Sequence, residues 1–70
     1  MSYGWDDAGD DAFGALIKIA IQEGYGAAKK WLKNNPEAVD VGKAAFLAQL
    51  NPVLGGMAAL ELWQYGKKRA

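Results

Sequence analysis

From Phe13 onward the apolar positions recur with the period of an α-helix. Phe13, Ile17, Ala20, Gly24, Ala27, Ala28 and Trp31 fall on one side when each residue advances by about 100°, and Lys18, Gln22, Tyr25, Lys29 and Lys33 fall on the other. That division predicts an amphipathic helix. Asp10 can cap its first turn, and Asp11 suits the positive end of its dipole. Gly24 and Gly26 weaken its middle by roughly 1 kcal/mol each relative to alanine, and the sequence leaves open whether the helix kinks there. Asn35-Pro36 and Asn51-Pro52 are two copies of one boundary signal, an asparagine cap followed by a proline suited to a first helical position. The residue before a proline also avoids helical geometry. No stretch shows the alternation of a strand. The pattern therefore predicts an all-α fold: one long helix over about 10–34 and two shorter ones over about 36–50 and 52–66, the last ending at Gly66. A flexible acidic arm over residues 1–9 is expected to precede a single helical domain over 10–70.

The expected last helix is apolar around most of its circumference, through Leu54, Met57, Ala58, Ala59, Leu60, Leu62 and Trp63. Such a helix is buried on all sides, and the other two helices offer little cover. Leu54, Met57, Leu60, Leu62 and Trp63 are therefore candidates for burial against a partner. Ala20, Gly24 and Ala28 recur at intervals of four, with Ala27 beside them. Small residues at that spacing let another helix approach closely, so these form a candidate association seam. Trp31 and Trp63 each sit near the end of an expected helix with lysines close by, Lys67 and Lys68 in the second case. Indole and ammonium groups together suit a lipid–water boundary.

Composition narrows the chemistry. Seventy residues support one domain, and a core this small is marginal unless something supplements it. Cysteine and histidine are both absent. Disulfides, thiolate or imidazole metal sites and a histidine base are excluded with them. Ser2 is the only serine and there is no threonine. No catalytic residues, cofactor or metal are expected. Asp6, Asp7, Asp10 and Asp11 lack the alternating spacing of a calcium loop. The supplement is then a partner, a membrane or further copies of the chain.

The net charge is zero but unevenly placed. Residues 1–17 carry four aspartates and no base, which leaves all 8 bases against 4 acids in the remainder. Lys67-Lys68-Arg69 closes the chain on a basic note. Three charges without a nucleic-acid-binding motif argue against DNA or RNA as a partner. The start is acidic where a secretion signal needs a basic region, so the expectation is cytoplasmic synthesis, with signal-independent export or incorporation into an assembly.

The order of acidic start, apolar middle and basic end resembles filamentous-phage coat proteins, whose acidic end faces solvent and whose basic end faces packaged DNA. This chain departs from that layout at Lys18, Glu23, Lys29, Lys30, Lys33, Glu37, Asp40 and Lys43, and at both Asn-Pro breaks. Its size, lack of cysteine and content of Trp, Lys and Gly resemble leaderless and circular bacteriocins, compact helical bundles that act on membranes, although most of those are cationic. No residue roles follow from either resemblance. The functional expectation is a non-catalytic helical protein that acts by helix association, foremost as a self-assembling structural subunit. The alternatives are a membrane-active, bacteriocin-like antimicrobial protein and a small adaptor or inhibitor that docks on a protein partner.

Overall fold

The computed structural model describes the backbone of residues 8–69 and the side chains of residues 12–69. The chain is all-α. It forms α1 (Ala8–Glu23), α2 (Tyr25–Asn34), a 3₁₀ helix (Pro36–Val41), α3 (Lys43–Leu54) and α4 (Gly56–Arg69). Among the described residues there is no strand. The first seven residues of the expected arm lie outside the described residues, and Ala8 and Gly9 already belong to α1.

Three glycines set the corners. Gly24, Gly42 and Gly55 have φ of 93°, 102° and 93° with extended ψ, a region that only glycine occupies readily. Each one ends a helix and starts the next. The Gly24 N–H donates to Ala20 O at 3.1 Å, and its own carbonyl accepts from Ala28 N–H at 3.0 Å. Gly42 bridges Val39 O and Phe46 N–H in the same way, and Gly55 bridges Asn51 O and Ala59 N–H. A single residue thus satisfies donors and acceptors that two helix ends would leave open.

These corners correct the expected helix count and boundaries. The long helix over 10–34 is two helices, because Gly24 turns the chain instead of kinking it. The helix expected over 36–50 is a 3₁₀ helix followed by most of α3. Pro52 lies inside α3 rather than opening a helix. It is close enough to the C-terminal end that only the Ala48 carbonyl loses its donor. Gly66 does not end α4, which continues to Arg69.

The break at Gly24 also resets the helical phase. The stripe of α1 that enters the core is Ala12, Leu16 and Ala20, and that of α2 is Ala28 and Leu32; Phe13, Ile17 and Trp31 are half-buried beside it. Leu16, Leu32, Val39, Phe46, Leu50 and Leu62 are the largest fully buried side chains, so every helix supplies at least one. Phe13 stacks on Phe46 at 5.6 Å and joins α1 to α3. The radius of gyration is 11.0 Å, close to the roughly 11 Å of a compact chain of this length. The chain closes a core without a second copy.

Candidate functional site

α2 and α4 run parallel and in register. Tyr25 Oη donates to Glu61 Oε1 at 3.1 Å, Lys29 Nζ lies 5.1 Å from the Tyr65 ring centre, and Arg69 Nε donates to Lys33 O at 3.2 Å. These contacts advance together, one helical turn at a time. Tyr25 and Lys29, which the amphipathic pattern placed opposite the apolar face, are therefore side chains that meet α4, and Lys33 meets it through its backbone carbonyl.

A buried glycine lets the two helices come together. Ala59, Leu62 and Gly66 form the buried stripe of α4. A Cβ at Gly66 would stand 3.3 Å from Leu32 Cδ2 and 2.4 Å from Val39 Cγ1. Glycine is needed there for lack of space, with ordinary helical backbone.

Parallel packing brings the C-terminal ends of both helices to one end of the molecule. Lys33 occupies the last turn of α2, and Lys67, Lys68 and Arg69 the last turn of α4. Both negative dipole ends favour cations there. Four cations from three helices then converge on two rings of α4. Lys43 and Lys67 lie 5.3 and 5.7 Å from Trp63, and Lys29 and Arg69 lie 5.1 and 5.8 Å from Tyr65. These separations are within cation–π range. Among the described residues, no lysine or arginine lies within the 4.0 Å of an acidic oxygen that defines an ion pair. The Trp63 indole Nε1–H is buried without a hydrogen-bond partner.

Two shallow grooves flank α2. One, between α2 and α4, has a volume of about 350 Å³ and is lined by Tyr25, Lys29, Glu61, Gln64, Tyr65 and Lys68. The other, between α1 and α2, is similar in size and places Trp31 and Ile19 beside Lys30 and Glu23. In the first groove, burial raises the Tyr25 phenol above its ordinary 10.0, and its bond to the negative Glu61 raises it further. Among the described residues Glu61 is the sole carboxylate of this groove and already accepts one hydrogen bond, while two ammonium groups, the Tyr65 hydroxyl and the Gln64 amide also line it.

The residues singled out from sequence fall in different places. Within the proposed seam, Ala20 and Ala28 are buried in the chain's own core, Gly24 is a corner, and Ala27 is half-buried in the α1–α2 groove. Of the apolar set, Leu62 is fully buried, Leu54, Leu60 and Trp63 are half-buried, and Met57 is 83% exposed. Lys67 and Lys68 are exposed, Lys67 against Trp63 and Lys68 in the α2–α4 groove, whereas Trp31 lies in the separate α1–α2 groove. Lys29, Lys43, Arg69, Tyr25 and Tyr65 were not singled out as site residues, although they take part in these contacts around α4. The Trp63–Lys67 and Tyr65–Arg69 pairs, each one turn apart on a helix, could have been found from spacing.

No three metal-binding side chains gather among the described residues. None of the described helices is long and apolar enough to cross a membrane. The fold and these contacts define a small all-α bundle whose last helix carries two half-buried rings with cations over them. No family model, curated protein or solved structure matches the chain.

Proposed function

We propose that the protein acts at membranes, by binding an anionic lipid surface through the cations and rings that flank α4, Tyr65 on its α2 side and Trp63 on its α3 side. The convergence of Lys29, Lys43, Lys67 and Arg69 on Trp63 and Tyr65 carries this reading. Cations resting on rings are already held near their apolar companions, and among the described residues no carboxylate pairs with them. A surface of anionic lipid attracts each nearby lysine or arginine by about 1 kcal/mol, and tyrosine and tryptophan favour the headgroup depth. The bundle would lie on the bilayer rather than thread it.

Vesicle titration followed by Trp emission tests the proposal. Anionic vesicles should shift emission to the blue, and zwitterionic vesicles should not. Lys67→Glu with Lys68→Glu should abolish the shift and leave far-UV circular dichroism unchanged. An equal response to both vesicle types would refute surface electrostatics as the driving force. Release of trapped dye in the same titration would extend the proposal from binding to permeabilisation.

Self-association is the second reading, and a different surface favours it. The outward face of α3 exposes Ala44, Ala45, Ala48 and Pro52, with Met57 exposed beyond the Gly55 corner. This face carries no charge beyond Lys43 at its start. Sedimentation equilibrium of wild type and Met57→Glu tests it: a dimer that the substitution dissociates supports the reading, and a monomer at high micromolar concentration removes it.

A further inference from the structure

We infer that the α2–α4 groove is a headgroup site, selective for an anionic lipid phosphodiester whose pendant group carries hydroxyl donors. The inference rests on the membrane-surface proposal and adds a specific ligand to it. The groove is walled by Tyr25 and Tyr65, with Lys29 and Lys68 as its cations, Gln64 as a neutral donor and Glu61 as its one anion. Two ammonium groups with amide and phenol donors match a phosphate that carries one negative charge.

Glu61 would repel a bare phosphate, so its presence shapes the selectivity. One of its oxygens accepts from Tyr25 at 3.1 Å, which holds the carboxylate in place. Its remaining acceptor capacity suits a donor attached beyond the phosphate. A glycerol hydroxyl is such a donor, and a choline methyl group is not. The overall positive balance of residues 18–70, 8 bases against 4 acids, favours a ligand of net negative charge. A glycerol phosphodiester meets both conditions. Arg69, 5.8 Å from the Tyr65 ring centre, places further positive charge at the groove wall.

The experiment titrates the ¹⁵N-labelled protein with monomeric dihexanoyl phosphatidylglycerol, and in parallel with the phosphatidylcholine of the same chains, both below their micelle concentrations. Saturable shifts at Lys29, Gln64, Tyr65 and Lys68 are expected with the glycerol lipid, bound at least about 5-fold more tightly than the choline lipid, a ratio one hydrogen bond can supply. Glu61→Gln should bring the two affinities together. Lys68→Ala, which leaves the Tyr25–Glu61 bond untouched, should weaken the glycerol lipid at least about 3-fold without loss of that bond's discrimination.

Equal affinities in wild type, or a preference that survives Glu61→Gln, would overturn the inference. Absent saturation with vesicle binding intact would overturn the headgroup site alone and leave the surface proposal standing. Loss of both would remove both.

Discussion

Replacing Gly66 with alanine sets two effects of known sign against each other. In a helix interior alanine is better than glycine by about 1 kcal/mol. At Gly66 the new methyl would meet Val39 Cγ1 at 2.4 Å and Leu32 Cδ2 at 3.3 Å, where carbon atoms prefer roughly 3.5–4.0 Å. Neither neighbour has room to withdraw, since Leu32 is fully buried and Val39 is 2% exposed. Val39 is also β-branched, which restricts its rotamers. Overpacking of this kind costs about 1–3 kcal/mol. Gly14→Ala is the internal standard, because a Cβ there meets nothing within 4 Å. Propensity cancels between the two variants, so Gly66→Ala should be less stable than Gly14→Ala by about 1–3 kcal/mol. In a chain of this size each kcal/mol corresponds to roughly 4–8 °C in Tm. Urea and thermal denaturation followed at 222 nm provide the measurement. Adding Val39→Ala should shrink the gap, since the pair then shares the space. Equal stability of the two glycine variants would refute the close approach of α4 to the 3₁₀ helix.

Three further outcomes follow from the same geometry. Phe46→Ala removes a fully buried ring stacked on Phe13, and should cost about 3–5 kcal/mol; this approaches the whole stability of a small domain, so chemical denaturation should find the variant largely unfolded. Gly55→Ala forces a side chain into φ 93° and should cost about 1–3 kcal/mol, whereas Gly26→Ala, with open space around it, should gain about 1 kcal/mol by thermal denaturation. The Tyr25 phenol should titrate above 10.0 in the folded protein, because burial and the bond to Glu61 favour its neutral form. The associated stability is present below the unfolded pKa and is lost as pH rises through the folded one; absorbance at 295 nm of wild type against Tyr25→Phe checks the order of titration.

Fold class was legible because its signal is distributed. Helical periodicity covers most of the chain and no segment competes with it. Corner positions were not legible, because Asn-Pro pairs and glycines are both boundary signals and the pattern does not rank them. Pro52 is accommodated near the end of α3, while Gly55 provides the turn. Gly66 misled for a related reason. Glycine near a basic cluster suggests a helix end, but Ala59, Leu62 and Gly66 keep the spacing of a buried stripe. That spacing was present in the sequence and is what a close helix–helix approach requires.

Half of the candidate site follows the same logic. The neighbourhood of Lys67 and Trp63 is local and can be seen from one turn of helix. Lys29 with Tyr65 and Lys43 with Trp63 depend on how separate helices pack. The apolar circumference of the C-terminal third suggested that company was required. Packing covers Ala59 and Leu62 within the chain, leaves Leu54, Leu60 and Trp63 half-buried and leaves Met57 exposed.

Partitioning of the folded protein onto phosphatidylglycerol vesicles, measured by co-sedimentation across a range of salt, tests the central claim most directly. The account predicts tight association at low ionic strength that weakens steadily as salt screens the cationic face, and a much weaker response in the Lys67→Glu, Lys68→Glu protein. Protein that stays in the supernatant at every salt concentration, or that pellets equally with and without those two lysines, would contradict it.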